Sequence, residues 1–284
     1  MSQLQDMDTT NRFYATVKST KRITPENSEE EVKDLILELE EGTDLHLDAG
    51  QSVGVLVPGP HAFGNQEHLR LYTVANATNG DKKINLCVKR CNYIDEFSGE
   101  RYNGVASNYL CDLKPGAKIE LSGPYGSPFP IPEEKTADII MVGLGTGIAP
   151  FRAFIKNLYK KHKKWDGKIR LFYGQKTGVD MLYMNDEKDD FTLYYDKETF
   201  KAFLAVSPQP YLNKPIDFES AFKQNKEEIW ELMLKPDTHV FVSGLEPILT
   251  AFDETFSEIA GSAEKWQRRK AELKAGGRWV ELIY

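Results

Sequence analysis

Apolar and polar residues alternate over short stretches in the first half of the chain. Val32–Leu39 (VKDLILEL) places its apolar side chains at a period near two and predicts a half-buried strand. Arg12–Val17 alternates in part. Val53–Val57, Leu69–Val74, Ile84–Arg90 and Ile119–Leu121 continue the rhythm, with Gly, Pro, Asn and Asp between them. Many short strands separated by turn residues predict an antiparallel barrel or sandwich. The acidic run Glu29–Glu31 reads as a solvated loop between two of these strands. Gly123–Pro132 (GPYGSPFPIP) is dense in residues that resist helix and interior sheet alike, and reads as a turn-rich lead into a domain boundary. The expected domains are 1–134 and 135–284.

Beyond that point the rhythm becomes strand, helix, strand. Asp138–Val142, Ile169–Gly174, Phe200–Ser207, His239–Gly244 and Trp279–Ile283 read as strands. Phe151–His162, Asp217–Leu234, Glu246–Ile259 and Ala263–Leu273 read as helices. This alternation predicts a parallel sheet with helices packed on it.

Composition narrows the function. With 36 basic and 43 acidic residues among 284, the formal charge is −7, which disfavours a polyanion binder. No apolar run approaches the roughly 20 residues of a membrane span, and the first residues carry no apolar secretory core. Cys87, Cys91 and Cys111 are too few for a disulfide framework and fit a reducing cytoplasm. They also cannot hold an iron–sulfur cluster. The five histidines have no metal-ligand spacing, so no metal site is expected.

Gly143-Leu-Gly-Thr-Gly-Ile-Ala-Pro150 follows the first strand of the second half and opens a helix. Glycines permit a tight turn and close approach of a ligand to main-chain N–H groups, and the helix N-terminus favours phosphate. A tight turn without a ligand is the competing reading. The next strand ends Gly174-Gln-Lys-Thr177, without the acid that holds a ribose in the common dehydrogenase arrangement.

Three stretches of the first half carry more. They are Arg70-Leu-Tyr-Thr73, Cys87-Val-Lys-Arg90, and Gly104-Val-Ala-Ser-Asn-Tyr-Leu110 running on through Cys111-Asp-Leu-Lys-Pro-Gly116. Together with Gly145–Pro150 and the final Tyr284, in this order and spacing, the chain resembles the ferredoxin–NADP reductase family of plastid and bacterial type over nearly its whole length. His61–Arg70 is also similar to bacterial reductases related to benzoyl-CoA oxygenase reductase components.

The resemblance implies a FAD-binding antiparallel β-barrel followed by an α/β domain that binds NADP or NAD. It implies that Arg70 holds the FAD diphosphate, Tyr72 covers one flavin face and Thr73 offers a hydroxyl near flavin N5. Cys87, Val88 and Lys89 would line the adenosine side, and Tyr93 would pack on the adenine. Val105, Ala106 and Ser107 would bind the diphosphate at a helix start. Gly145, Thr146, Gly147, Ser207, Gly244 and Leu245 would contact NAD(P), with Thr146 also near FAD. Tyr284 would cover the second flavin face and move aside for the nicotinamide, its ring rather than its hydroxyl carrying the effect. Thr73, Ser243, Glu281 and Tyr284 would shape hydride transfer.

The departures from the family pattern fall on the nucleotide side. Ser243 stands where the family has Cys, and Pro208 where it has the arginine that grips the 2′-phosphate. Phe218 falls near an expected tyrosine, with Lys214 as a partial substitute cation. Leu282 fills the family's glutamate position and the acid shifts to Glu281, a step that turns a side chain to the other strand face. Lys156, Lys160, Lys161, Lys163 and Lys164 form a basic cluster able to steer an acidic ferredoxin or flavodoxin. The expected function is a cytoplasmic FAD-dependent ferredoxin(flavodoxin)–NAD(P)H oxidoreductase. The alternative is a flavoprotein electron-transfer subunit with little or no use of pyridine nucleotides.

Overall fold

The computed structural model describes residues 7–61, 64–78, 80–95, 97–196, 198–212 and 214–284. Ala62 and Phe63, within the His61–Arg70 segment, lie outside the described residues. The chain divides into two compact units, Met1–Pro128 and Phe129–Tyr284.

The first unit is built on β1 (Arg12–Arg22), β2 (Val32–Leu39), β3 (Ser52–Pro58), β4 (Glu67–Thr73) and β5 (Lys83–Lys89). A short hairpin, β6 (Asn92–Ile94) and β7 (Arg101–Asn103), precedes helix α1 (Val105–Asp112) and β8 (Lys118–Tyr125). Six strands form one sheet in the order β4-β3-β8-β1-β2-β5, every pairing antiparallel. Its two end strands meet at the Val74–Leu86 bridge, which closes the sheet toward a barrel and leaves little free edge. Alternation fills the interior: Phe13, Ala15 and Val17 of β1 face Leu35, Leu37 and Leu39 of β2 in one buried cluster. Helix α1 adds Ala106, Leu110 and Cys111 to it.

Two expectations need correction here. Strand β8 continues through Pro124 to Tyr125, within the segment expected to be turns. The register against β3 shifts at this point, and a bulge is one of the few places where a sheet accepts proline. The run Glu29–Glu31 is not simply a solvated loop: Glu30 pairs with Lys89, and Glu31 with Arg90 at 2.8 Å and Lys33 at 3.3 Å.

The second unit has a five-stranded parallel sheet. Its strands are β9 (Ile139–Leu144), β10 (Ile169–Gln175), β13 (Phe200–Val206), β14 (His239–Gly244) and β15 (Trp279–Ile283), after a minor hairpin of β11 (Met184–Asn185) and β12 (Lys188–Asp189). The order is β13-β10-β9-β14-β15. The helices are α2 (Ile148–His162), α3 (Phe218–Gln224), α4 (Lys226–Leu234), α5 (Pro247–Ala260) and α6 (Ala263–Ala275). The single helix expected over 217–234 is two, interrupted at Asn225. Phe129 stacks on Phe241 with centroids 5.1 Å apart, so the second core claims residues upstream of the expected boundary at 134. Among the described residues no helix is long and apolar enough to cross a membrane.

Candidate active site

In the first unit, Arg70 and Tyr72 lie two apart on β4 and so share a face. Arg70 is exposed, and no described side chain pairs with its guanidinium. Burial, then His61 and the positive field of Arg70, hold the His68 pKa below the usual histidine value. Tyr72 packs against the barrel core, and this burial pushes its phenol pKa well above the ordinary value. Thr73 shares a 3.0 Å hydrogen bond with Ser52, its partner across β3. Ser52 is a second hydroxyl that sequence reasoning missed, because strand register is needed to pair residues 21 apart.

Gly104 precedes α1 and supplies no side-chain cap, so no side chain blocks the first-turn N–H groups of Val105, Ala106 and Ser107. A Cβ on Gly104 would sit 2.9 Å from Ser107 Oγ and 3.1 Å from the Cys91 carbonyl, which explains the glycine. Ser107 Oγ accepts from the Cys91 N–H at 3.2 Å and donates to the Gly104 carbonyl at 3.3 Å, tying the helix start to the end of β5. Tyr93 is 57% exposed. It stacks on Tyr102 across the β6–β7 hairpin, centroids 5.5 Å apart; Tyr102 is a further aromatic that too short a strand pattern concealed. An unpaired guanidinium, an open helix N-terminus and exposed aromatic rings fit a dinucleotide with a diphosphate. Cys87 and Val88 behave differently from expectation. Both side chains are buried, so only their main chain is available to line a ligand, and Lys89 is paired with Glu30.

In the second unit, chain progression reverses between β9 and β14. Open parallel sheets bind ligands at the carboxyl ends of the strands flanking such a switch. The Gly145–Gly147 turn follows β9 and Gly244 ends β14, so both expected nucleotide-binding turns fall at this crevice. Gly147 is forced by contact: a Cβ there would lie 2.3 Å from the Ser243 carbonyl oxygen. Gly145 is forced by its φ of +58°. Beneath the turn, buried Tyr173 donates to the Gly145 carbonyl at 3.1 Å and accepts from the Leu182 N–H at 3.2 Å. Ser243 is fully buried. Its Oγ has no hydrogen-bond partner among the described residues, and neither has Gln175 Nε2 at the end of β10. Leu245 is half-exposed beside them.

Tyr284 joins the two turns. Its N–H donates to the Gly244 carbonyl at 3.2 Å, and its hydroxyl shares a 3.0 Å hydrogen bond with Thr146 Oγ1. The hydroxyl, which sequence reasoning left without a role, is therefore engaged.

Three nucleotide-side expectations change. Glu281 shares its strand face with Trp279, accepts from the Trp279 indole at 2.6 Å and pairs with Lys274 at 3.0 Å and Lys270 at 3.7 Å. Burial raises its pKa, but Lys274, Trp279 and Lys270 outweigh burial and hold it below the carboxylate range. The one-residue shift has turned this acid onto α6, where it fastens β15. Phe218 is buried in the core against Gly174, where a Cβ would come within 2.4 Å of the ring; it presents nothing to a nucleotide. Ser207 is buried, with its hydroxyl donating to the Lys214 carbonyl at 2.6 Å.

The lysine cluster also divides. Lys156 is half-buried and pairs with Asp190 at 3.5 Å, and Lys164 pairs with Asp166 at 2.9 Å. Lys160, Lys161 and Lys163 are exposed. They lie at the far end of the 15-residue α2, about 20 Å from the glycine turn at 1.5 Å per residue.

Comparison with known proteins agrees with this geometry. The family model for an oxidoreductase FAD-binding domain matches residues 19–129, and that for an oxidoreductase NAD-binding domain matches 141–254. The chain is 34% identical to a ferredoxin–NADP reductase of Spirulina sp, over 96% of each chain. It is 37% identical to the chloroplastic leaf-type ferredoxin–NADP reductase of Nicotiana tabacum, over 83% of this chain and 67% of the relative. A solved structure of ferredoxin–NADP+ reductase from Plasmodium falciparum shares the fold, with a TM-score of 0.72 over 98% of both chains at 19% identity. An antiparallel FAD-binding barrel followed by a parallel nucleotide-binding sheet, with relatives this similar over this much of the chain, places it in the ferredoxin–NADP reductase family.

Proposed function

We propose that the protein is a FAD-dependent oxidoreductase exchanging hydride with NADPH or NADH and single electrons with a ferredoxin or flavodoxin. The observation that carries this reading is the glycine turn at the switch point of the second sheet, with Tyr284 hydrogen-bonded to both of its flanking turns. FAD, when bound, supplies the chemistry, because a flavin accepts two electrons as hydride and releases them one at a time. The chain's own residues bind and orient. Arg70 and the open N–H groups of α1 hold the diphosphate, Tyr93 with Tyr102 takes the adenine, and Tyr72 offers its ring to the isoalloxazine. Thr73, its hydroxyl steadied by Ser52 at 3.0 Å, would offer a hydrogen bond to the bound flavin. On the nucleotide side the main chain of Gly145, Thr146 and Gly147 receives the diphosphate, and Gly244 and Leu245 flank the nicotinamide next to the buried Ser243. Tyr284 yields its position to the nicotinamide. No side chain acts as an acid or base; rate comes from alignment of donor and acceptor.

The electron partner is an acidic one-electron carrier. Lys160, Lys161 and Lys163 add long-range attraction, while their distance from the glycine turn argues against their forming the electron-transfer contact. Three cysteines, Cys87, Cys91 and Cys111, are too few for a disulfide framework, which supports a reducing, cytoplasmic setting. The test is the cofactor itself: acid precipitation of the purified protein is expected to release one FAD per chain. Release of FMN, or of no flavin, would contradict the reading.

A further inference from the structure

The hydrogen bond between Thr146 and Tyr284 joins two residues 138 apart in the chain. One belongs to the turn assigned to the nucleotide diphosphate, the other is the ring assigned to the nicotinamide's place. Tyr284 is also anchored by its main chain to Gly244 on the opposite side of the crevice. The residue as a whole is 47% exposed. A ring held by a backbone bond at one turn and a hydroxyl bond at the other spans the crevice and obstructs it.

We propose that Thr146 is a positioning residue: its hydroxyl latches Tyr284 across the dinucleotide crevice, and a pyridine nucleotide binds only after the latch opens. The inference rests on the function proposed above and adds to it a coupling between the two turns. In the free protein the latch lowers the fraction of binding-competent molecules. Apparent affinity falls by that fraction. Opening breaks one neutral hydroxyl–hydroxyl bond at a half-exposed position, so the effect is modest, about two- to tenfold in affinity. Both hydroxyls are needed. Removing either one gives the same gain, and removing the second adds nothing.

The experiment is a double-mutant cycle on the FAD-loaded protein, reading NADP+ and NAD+ dissociation constants from the flavin difference spectrum. Tyr284→Phe keeps the ring and removes its hydroxyl. Thr146→Val keeps the shape and removes the other. Both are expected to tighten nucleotide binding about two- to tenfold and equally, the double variant to match either single one, and Thr146→Ser to bind as the wild type does. Unchanged affinity in Tyr284→Phe, or effects that add in the double variant, would overturn the latch while leaving the proposed function standing. Weaker binding in Thr146→Val together with an inert Tyr284→Phe would assign the threonine hydroxyl to the nucleotide and also overturn it. A wild-type protein that binds FAD but shows no difference spectrum with either nucleotide would remove the proposed function, and the latch with it.

Discussion

Pro208 occupies the position where the family resemblance implies an arginine on the 2′-phosphate, and the neighbouring Ser207 hydroxyl is already committed to the Lys214 carbonyl. Charge-assisted bidentate pairs are the strong contacts to a phosphate, and proline offers neither charge nor donor. The expected outcome is weak preference for NADP(H) over NAD(H). Pro208→Arg should lower the KM for NADPH more than that for NADH; a wild-type preference near a thousandfold, about 4 kcal/mol, would contradict this. At this scale the chain was partly legible. The glycine turn stands out by residue type and spacing, and the family resemblance points to Arg70 and Tyr93. Glu281, Ser207 and Phe218 did not reveal their roles, because each is defined by what it faces: an α6 lysine pair, a loop carbonyl and Gly174. The partner of the Tyr284 hydroxyl was hidden for the same reason, since it lies 138 residues away.

Among the elements, the turn from β9 into α2 is the most constrained. Gly147→Ala would force a Cβ against the Ser243 main chain at 2.3 Å, which backbone on both sides cannot relieve by a rotamer change. Gly145→Ala has open space and suffers only its positive φ, about 1–2 kcal/mol. Urea unfolding of the two variants should therefore show the larger loss for Gly147→Ala, with its nucleotide affinity lost as well; equal midpoints would contradict the packing argument. Element boundaries were legible where burial follows a clean period. Strands β2, β14 and β15 run over the residues their alternation or apolar runs predict. The β6–β7 hairpin has three-residue strands with exposed side chains, which leaves no hydrophobic pattern to read. The break at Asn225 was equally hidden, because α3 and α4 together keep a helical apolar rhythm while the Asn225 side chain donates to the Ala221 carbonyl at 2.9 Å.

At the scale of the whole molecule, each unit has its own buried cluster, and the second depends on partly buried ion pairs. Arg170 is buried and donates to Glu228 at 2.6 Å. That hydrogen bond outweighs burial and, with Lys168, lowers the Glu228 pKa to about 2. A carboxylate depressed on folding contributes stability above its unfolded pKa and loses it as pH falls through the folded one. Asp190 shifts the same way: burial opposes the shift, and Arg152 and Lys156 outweigh it. The urea midpoint of the second unit should thus fall between about pH 4.5 and 2, and Glu228→Gln should flatten that fall while lowering the midpoint at pH 7. An unchanged pH profile in that variant would contradict the assignment. The central claim, that the protein is a FAD-dependent oxidoreductase that exchanges hydride with a pyridine nucleotide and electrons with a one-electron carrier, has one most direct test. Anaerobic stopped-flow mixing of the purified protein with NADPH and, separately, with NADH should bleach the flavin absorbance with at least one of them, and added oxidised ferredoxin should restore it. No bleaching with either nucleotide would contradict the account.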